Sequence, residues 1–437
     1  MEKNSFYIET YGCASNKADS YIISNILKNN HFTETSLNEA EYLIINTCAV
    51  KQQTENKIKT RLKNLYKIYK NEPNKHIIIA GCLPHIDPGY IDVVRKLVPS
   101  FSAIIDLDNI HQFPEILQQV RNGKKNLIIK STESIDKAKI LIDYPKNKIT
   151  GILPISEGCL GSCTYCCVKN ARGPLNCYNP DNIINNANHQ LNQGIKQLYL
   201  TSQDCSTYQH NNITLAKLVK HINDLEFKFF LRLGMVNPSF LINELEQLIS
   251  IYHLNKVYKL LHIPIQSGSD KILKEMNRFY SISELKDKIR VLKKEVPDLT
   301  ISTDIICGFP GETEKEFNET INLIKWLQPE ILNISKFTPR PGTKAKDMKQ
   351  VNSRVIKERS IRLSKIFRES LIDMNKHWEG WEGEILILHP GEKENQAFGR
   401  NLAYKNVFIA NYTGEYGEFV NVKIDKVDGF NLFGTLL

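Results

Sequence analysis

The 437-residue sequence contains no apolar run long enough to cross a membrane. Its first residues, MEKNSFYIET, lack the basic-then-apolar pattern of a secretory signal peptide. We therefore expect a cytoplasmic protein that does not bind a membrane. The chain also has little excess charge: its formal net charge of +9 is compatible with an anionic partner but is modest for this length.

The N-terminal third repeats one layout three times. Short β-rich runs, FYIETYGC, YLIINTC and HIIIAGC, each end at a cysteine, and these are Cys13, Cys48 and Cys82. Between the second and third runs, a helical pattern places four residues on one face: Ile58, Leu62, Leu65 and Tyr69. Strands alternating with helices predict a parallel α/β sheet, whose carboxyl edge would gather the three cysteines. The alternative, three unrelated buried cysteines, explains the repetition less well.

A second βα series begins near residue 148. Apolar runs occur at 151–155, 197–201, 229–233, 258–265, 299–306 and 331–335. Six strands separated by helical patterns predict an open, partial (β/α)6 barrel rather than a closed eight-fold one. We interpret the stretch DKAKILIDYPKN, residues 136–147, as a linker between the two α/β units.

The C-terminal part changes character twice. Residues 344–376 carry ten Lys and Arg against four Asp and Glu, which predicts a basic helix. Short runs with glycine turns follow and predict a small β-barrel, although residues 378–437 hold five basic against nine acidic residues. In AFGRNLAYKN, four side chains offer a stacking and phosphate-binding surface: Phe398, Arg400, Tyr404 and Lys405. The predicted domains are 1–135, 145–375 and 376–437.

The strongest local motif is CLGSCTYC, in which Cys159, Cys163 and Cys166 have the spacing CxxxCxxC. Three thiolates on one tight loop can hold an iron–sulfur cubane and leave its fourth iron open to a small molecule. A structural zinc loop is the alternative, but zinc usually takes four protein ligands, and no second CxxC pair lies nearby. The remaining cysteines receive no ligand role: Cys167, Cys177, Cys205 and Cys307.

The loop SEGCLGSCTYC resembles the radical S-adenosylmethionine (SAM) superfamily. With ETYGC, INTC and AGC before it, the whole chain resembles the methylthiotransferase family, including a C-terminal TRAM-like RNA-binding domain. The resemblance implies two [4Fe–4S] clusters. One, on Cys159, Cys163 and Cys166, would cleave SAM; the auxiliary one would be held by the three N-terminal cysteines. Its landmarks TSQD, IPIQSGSD and MNR imply four SAM-pocket residues: Ser202, Gln203, Gln266 and Arg278.

The substrate classes of this family are an adenosine beside the tRNA anticodon and a ribosomal-protein aspartate. Several stretches, among them ETYGCASNKADS, LRLGMVNPSF and SKFTPRPGT, resemble the archaeal and eukaryotic branch that acts on threonylcarbamoyladenosine in tRNA. That substrate carries a carboxylate, so Arg232 is a candidate substrate contact, with a structural salt bridge as the alternative. Arg340 is a second candidate, for a phosphate or carboxylate, with an ordinary solvated position as the alternative. The implied partners are the tRNA anticodon stem-loop and an electron donor such as a ferredoxin or flavodoxin.

Three other kinds of function stay open on the sequence alone: another substrate within the family, a non-catalytic iron–sulfur protein and a zinc-stabilised structural protein. Within the family, the substrate is either the ribosomal protein, whose basic surface would suit the acidic C-terminal domain, or isopentenyladenosine in tRNA. From a different class, the chain would be a non-catalytic iron–sulfur protein that binds RNA or senses redox state. A zinc-stabilised structural protein is the third, and it would contain zinc without the brown colour of a cluster.

Overall fold

The computed structural model describes residues 4–131, 133–429 and 431–437. Its N-terminal part is a six-stranded, all-parallel sheet with the strand order β2-β1-β3-β4-β5-β6. The elements in chain order are β1 Ser5–Thr10, α1 Ala14–Asn29, β2 Thr33–Glu34, β3 Tyr42–Thr47, α2 Gln52–Tyr69, β4 His76–Gly81, α3 Tyr90–Leu97, β5 Ala103–Ile105, α4 Phe113–Arg121 and β6 Leu127–Ile129. The predicted parallel α/β sheet is confirmed.

Both faces of this sheet are covered by helices, which is why its central strands are almost wholly apolar. On β3, Ile44 packs with Ile22 of α1 and Leu117 of α4. Its neighbour Ile45 points to the other face and packs with Ile58 of α2. Burial of each such side chain contributes about 1.5–3 kcal/mol. The sheet is therefore a rigid frame, and its carboxyl edge is fixed in position.

The central part contains the six predicted strands in sequential order. Its elements are β7 Thr150–Pro154, β8 Ser156–Glu157, α5 Val168–Arg172, β9 Asn176–Cys177, α6 Pro180–Asn192, β10 Gln197–Thr201, β11 Gln209–His210, β12 Ile213–Thr214, α7 Leu215–Asn223, β13 Phe230–Arg232, α8 Pro238–Asn243, α9 Leu245–Tyr252, β14 Leu260–His262, α10 Asp270–Glu275, α11 Ile282–Glu295, β15 Thr300–Cys307, α12 Glu314–Leu327 and β16 Ile331–Lys336. Two parallel sheets, β7-β10-β13 and β14-β15-β16, are joined by the parallel bridges Leu231–Val257 and Met235–His262. We call this curved arrangement the half-barrel.

Side chains of the half-barrel alternate between the outer helices and the inner lumen. On β10, Leu198 and Leu200 are fully buried against the helices, whereas Tyr199 between them is only partly buried. On β13, Leu231 and Leu233 pack outward in the same way and leave Arg232 facing inward. The lumen therefore carries polar side chains on a rigid wall of strands.

The segment predicted to be a linker is packed into the structure. Lys137 and Ala138 are buried, and Ile142 joins the apolar core beside α1 and α4. Asp136 accepts hydrogen bonds from Asn182 and from the Asn179 amide. The stretch runs between β6 and β7, and its packing was not predicted because apolar residues in a polar stretch give no sign of which surface will cover them.

The C-terminal part begins with the basic helix α13, Ser353–Met374, and ends in a closed five-stranded barrel. Its strands are β17 Glu382–Pro390, β18 Ala397–Asn401, β19 Asn406–Ile409, β20 Phe419–Asp428 and β21 Asn431–Leu436. The helix and the small β-barrel were both predicted. The predicted last strand began at Phe430, which lies outside the described residues.

This small barrel covers the end of the half-barrel at which the strands begin. The Lys259 amide donates to the Leu402 carbonyl at 2.8 Å, and the Thr300 hydroxyl donates to the Ala403 carbonyl at 2.7 Å. Of the four residues predicted to form an RNA-binding surface, Arg400, Tyr404 and Lys405 contact the half-barrel. Phe398 stacks on His389 within the small barrel. Tyr404 is only 8% exposed, and Lys405 is paired with Glu330. That surface is therefore turned inward, toward the half-barrel.

Among the described residues, no helix combines the length and the apolar character needed to cross a membrane.

Candidate functional site

The three N-terminal cysteines follow adjacent strands and lie at one edge of the sheet. Cys13 begins α1 after β1, Cys48 follows β3 and Cys82 follows β4. Two hydrogen bonds join the last two loops: Thr47 donates from its hydroxyl to the Ala80 carbonyl at 2.6 Å and accepts from the Cys82 amide at 2.9 Å. We call these three cysteines the N-terminal triplet.

Close backbone contacts hold the Cys13 loop against Cys48. Gly12 has φ 119°, and a Cβ atom there would lie 2.7 Å from the Cys48 Cβ and 3.0 Å from its Sγ. The Asn16 amide group donates to the Thr47 carbonyl at 2.8 Å, and Asn46 donates to the Asn16 carbonyl at 2.8 Å. Only glycine fits at position 12 without moving the triplet.

The second set of cysteines lies on the loop after β8, at the carboxyl end of the half-barrel. A Cβ atom on Gly161 would lie 3.3 Å from the Cys159 Sγ and 3.9 Å from the Cys163 Sγ. The Gly161 amide donates to the Cys159 sulfur at 3.3 Å, and the Val168 amide donates to the Cys166 sulfur at 3.5 Å. Amide donors of this kind stabilise thiolates. We call these three cysteines the loop triplet.

Of the four predicted SAM-pocket residues, three lie at the carboxyl ends of half-barrel strands and are partly exposed. Ser202 and Gln203 follow β10, and the Gln203 side chain accepts from the Gly158 amide at 2.7 Å, directly before the loop triplet. Gln266 lies beyond β14 with φ 75°, and its amide donates to the Asp304 carbonyl at 2.8 Å. The structure therefore brings these residues beside the loop.

Arg278, the fourth, is buried beneath the loop triplet. Its guanidinium donates to the Pro264 carbonyl at 2.9 Å and to the Tyr280 hydroxyl at 3.1 Å. Nη1 also lies 3.7 Å from the Cys163 Sγ. Through these contacts, the Arg278 side chain holds the cysteine loop in position.

A buried network of four charges joins the two triplets. The Arg172 side chain donates to the Cys82 Sγ at 3.1 Å, to Glu157 at 2.6 Å and to Asp19 at 2.8 Å. Lys137 pairs with the same two carboxylates, with Asp19 at 3.1 Å and with Glu157 at 2.5 Å. Two cations and two anions balance one another, which is the condition for keeping charges away from water. Arg172 follows the loop triplet by six residues, so the network connects both cysteine sites.

This network was not predicted from the sequence. Arg172 lies six residues after the CxxxCxxC motif, whereas Lys137 lies in the stretch interpreted as a linker. Their partner Asp19 is 118 residues from Lys137 in the chain. The inward-facing pair His262 and Asp304, with Nε2 and Oδ2 2.8 Å apart, was missed for the same reason. A close pair between distant segments leaves no local pattern.

The two candidate substrate arginines differ in their surroundings. Arg340 is 4% exposed and pairs with Glu55 of α2 at 2.5 Å. It also donates to the Gln52 side chain at 2.7 Å and to the Ala49 carbonyl at 2.6 Å. The loop after β16 is thereby fastened to the N-terminal sheet unit. The alternative predicted for Arg340, a solvated position, is wrong, because this side chain is buried in an ion pair.

Arg232, in contrast, faces the lumen. Its guanidinium carbon lies 4.8 Å from the centre of the Tyr199 ring and 5.4 Å from that of Tyr404, which comes from the small barrel. It has no ion pair with a carboxylate among the residues that the structure describes. Of the two candidate arginines, only Arg232 has a guanidinium that is available to bind a substrate.

The four cysteines outside the triplets lie in packed surroundings. Cys167 is buried in the apolar core beside α2, and its thiol donates to the Ala49 carbonyl at 3.5 Å, away from the loop triplet. Cys205 and Cys307 are buried in separate cores, and Cys177 packs against the first of these. All ten cysteines are free thiols.

Burial disfavours the thiolate form of Cys82 and Cys166, one cysteine from each triplet. It raises the pKa of Cys82 to about 12, against the opposing effect of Arg172, and the pKa of Cys166 to about 12 as well. Thiolates at these positions require bound iron to offset desolvation. In the described part of the chain, no three His, Cys, Asp or Glu side chains lie as close together as a single metal ion requires.

Comparisons with known proteins divide the chain into three matched regions. Residues 5–101 match uncharacterized protein family UPF0004, residues 153–324 match the radical SAM superfamily and residues 378–437 match the TRAM domain. The solved structure of the radical SAM methyltransferase TsrM from Kitasatospora setae has a similar fold, with a TM-score of 0.60. That likeness covers 79% of this chain and 77% of TsrM at 10% identity, so it concerns the fold alone.

Relatives match over nearly the whole length. A Pyrococcus horikoshii protein named "Probable threonylcarbamoyladenosine tRNA methylthiotransferase" is 36% identical over 436 residues, 99% of each chain. The human threonylcarbamoyladenosine tRNA methylthiotransferase is 32% identical over 96% of this chain and 71% of its own length. A Clostridium botulinum tRNA-2-methylthio-N(6)-dimethylallyladenosine synthase is 34% identical over 98% of this chain and 96% of its own.

The half-barrel and its loop triplet lie in the region that matches the radical SAM superfamily, so the chain is a radical SAM protein. The UPF0004 and TRAM regions on either side of it, together with the full-length relatives, identify the family within that superfamily. The chain belongs to the radical SAM methylthiotransferase family.

Membership of the superfamily implies a [4Fe–4S] cluster and SAM. The residues present fit such a cluster, because the loop triplet supplies three unpaired thiols with amide donors to two of the sulfurs. The N-terminal triplet likewise supplies three unpaired thiols at one sheet edge, with a guanidinium against one sulfur.

Proposed function

We propose that this chain is a tRNA methylthiotransferase that converts N6-threonylcarbamoyladenosine beside the anticodon into its 2-methylthio derivative. The observation that carries the proposal is full-length similarity, 36% and 32% identity, to the archaeal and human proteins named for that reaction. The matched TRAM region supports an RNA substrate.

In this proposal the two triplets have separate roles. The loop triplet holds the [4Fe–4S] cluster that binds SAM, and the N-terminal triplet holds an auxiliary [4Fe–4S] cluster. Four residues at the carboxyl end of the half-barrel form the SAM pocket: Ser202, Gln203, Gln266 and Arg278. When bound, these groups supply one-electron chemistry and the methylthio group. The proposed units are 1–135 for the auxiliary cluster, 145–375 for SAM and 376–437 for RNA.

The chain's own contribution is to hold both sites in one geometry. Arg172 contacts the Cys82 sulfur while it pairs with Glu157, two residues before the loop triplet begins. The buried pair of Arg340 and Glu55 ties the same two parts together at a second point. Fixed placement of two reacting centres lowers the entropic cost of the transfer step.

The proposed partners are the tRNA anticodon stem-loop and a ferredoxin or flavodoxin as electron donor. The exposed basic face of α13 would attract the RNA phosphates. For the substrate base, Arg232 is the stronger candidate contact, because the second candidate, Arg340, is already held by Glu55.

The first experiment tests the class of protein. Purified chain would be reconstituted anaerobically with iron and sulfide, reduced, and assayed for 5′-deoxyadenosine released from SAM. We expect SAM cleavage together with iron for two clusters. Clusters without cleavage would instead indicate a redox-sensing or RNA-binding protein, and zinc without colour would indicate a structural protein.

The second experiment tests the substrate by mass spectrometry of tRNA nucleosides from cells with and without the gene. We expect 2-methylthio-threonylcarbamoyladenosine to disappear in the deletion; an unchanged level would contradict the proposal. The 34% identity to the dimethylallyladenosine synthase makes isopentenyladenosine the second candidate, and loss of its methylthio derivative would support that choice. If neither changes, the ribosomal-protein aspartate becomes the substrate to examine.

A further inference from the structure

Two arginines from different parts of the chain meet inside the half-barrel. Arg232 projects from β13, and Arg400 projects from β18 of the small barrel. The Tyr404 ring joins them, since it lies 5.4 Å from the Arg232 guanidinium carbon and 4.0 Å from that of Arg400. Arg400 also donates to the Tyr199 hydroxyl at 3.2 Å, and the Tyr199 and Tyr404 hydroxyls are 3.1 Å apart. We call these four residues the lumen cluster.

The lumen cluster has positive charge without a matching carboxylate. Neither arginine forms an ion pair within residues 4–131, 133–429 and 431–437. The Nε atom of Arg232 is buried and has no hydrogen-bond partner in the same part of the chain. Both hydroxyls belong to tyrosines, which are neutral at physiological pH. Two guanidinium groups in a partly dehydrated space favour an anion between them.

The position of the cluster fits one part of the proposed substrate. Tyr199 faces the lumen four residues before Gln203, which contacts the start of the cysteine loop. At about 3.3 Å per residue, the cluster lies about 13 Å below that loop. An adenine ring near the loop with an extended, peptide-like threonylcarbamoyl arm of about 5 Å would cover much of this span.

We propose that the lumen cluster is the specificity site for the N6 substituent, with Arg232 and Arg400 binding its carboxylate and the tyrosine hydroxyls binding its polar atoms. The inference rests on the proposed function and deepens it. It gives the small barrel a second role, because Arg400 and Tyr404 complete a pocket whose other wall is the half-barrel.

A carboxylate suits the site better than an RNA phosphate does. The cluster is enclosed by strands on one side and by the small barrel on the other, and its four side chains are at most partly exposed. A nucleic-acid backbone does not thread such a space, whereas a base turned out of the anticodon loop can place its substituent there. Arg232, over the Tyr199 ring, keeps in-plane donors free for bidentate contact with a carboxylate, whereas Arg400 already donates to the Tyr199 hydroxyl and to the Asn406 side chain.

The test measures binding of two synthetic anticodon stem-loops that differ only in the threonylcarbamoyl group. Anaerobically reconstituted wild type, Arg232→Gln and Arg400→Gln would be compared by fluorescence anisotropy at several salt concentrations. Arg290→Gln, which removes a 60% exposed arginine on α11, is the matched control. We expect each lumen variant to lose about ten-fold in affinity for the modified RNA and nothing for the unmodified one.

Three outcomes would overturn the inference. An equal loss for both RNAs, with a weaker salt dependence, would assign the arginines to phosphate binding. If both variants kept the wild-type preference for the modified RNA, the two arginines would have no part in recognising the N6 substituent. A variant that melts early would be replaced by Arg232→Lys, which keeps the charge but not the planar fork, and a full preference there would count against bidentate binding.

If wild type neither prefers nor methylthiolates the modified RNA, the proposed function itself fails; if it does both, only this inference is at stake.

Discussion

The Nε atom of Arg172 lies 3.1 Å from the Sγ atom of Cys82, and the rest of the same guanidinium is held by Asp19 and Glu157. A hydrogen bond to a cluster sulfur raises the reduction potential of the cluster, because it stabilises the more negative reduced form. If the N-terminal triplet holds the proposed cluster, this side chain would therefore connect the segment before the loop triplet to the reduction potential of that cluster.

We predict that Arg172→Lys lowers the reduction potential of the cluster on the N-terminal triplet. The substitution keeps the positive charge for Asp19 and Glu157 but removes the planar fork. The potential would be measured by an EPR-monitored redox titration in protein whose loop triplet is replaced by alanine, so that one cluster is observed. Lys169→Gln, on the same short helix, is the control. An unchanged midpoint in Arg172→Lys would show that the contact does not tune the cluster.

The two triplets should be separable by single substitutions. Cys163→Ala is expected to lose the iron of one cluster and all SAM cleavage. Cys48→Ala is expected to lose the other cluster and the methylthio transfer, while some cleavage remains. Cys177→Ala, outside both triplets, should keep full iron. Iron content and 5′-deoxyadenosine release check these results, and equal loss of both activities in the first two variants would argue against separate roles.

Gly12→Ala should disrupt the N-terminal triplet. The new Cβ atom would lie 2.7 Å from the Cys48 Cβ in a backbone with φ 119°, so both overlap and strain oppose folding. We expect a loss of about 3 kcal/mol in the free energy of unfolding and loss of one cluster. Gly123→Ala is the matched control, since φ is 88° but nothing lies within 4 Å of its Cβ. It should cost about 1–2 kcal/mol and retain all iron. Similar iron content in the two variants would refute the packing argument.

We expect Arg340 to stabilise the folded protein rather than to bind the substrate. Arg340→Met would remove the buried ion-pair partner of Glu55 and leave this carboxylate with Lys59 and the Tyr90 hydroxyl, at a cost of about 1–3 kcal/mol in the free energy of unfolding. Arg354→Met, at an exposed position on α13, should stay within about 0.5 kcal/mol of wild type. Denaturant unfolding and steady-state kinetics would be measured together. A stable Arg340→Met protein with a raised KM for tRNA would restore Arg340 as a substrate contact.

The basic face of α13 should govern the salt dependence of tRNA binding. Lys357 and Arg368 are exposed on this helix. Each substitution to glutamine should reduce the slope of log K against log salt by about 0.9, with similar effect on modified and unmodified RNA. Lys220→Gln on α7 is the control. If the slope stays unchanged in both α13 variants, the phosphate contacts lie elsewhere.

Features that depend on residues close together in the chain could be predicted from the sequence. The CxxxCxxC loop, the strands ending at Cys13, Cys48 and Cys82, and the apolar face of α2 follow from spacing within a few residues. Such patterns are set by backbone geometry and are therefore visible without a fold. The three-part architecture followed from the same local signals.

Tertiary structure decided the partners of the charged side chains. Arg340 and Glu55 are 285 residues apart, and Arg172 and Asp19 are 153 residues apart, so no local pattern could pair them. The small barrel also turned Tyr404 and Arg400 toward the lumen, although their sequence resembled an exposed RNA surface. Sequence by itself predicted which cysteines would hold the clusters. Packing alone determined which charges face one another, because only the fold brings distant segments together and a buried charge is stabilised by the opposite charge placed beside it.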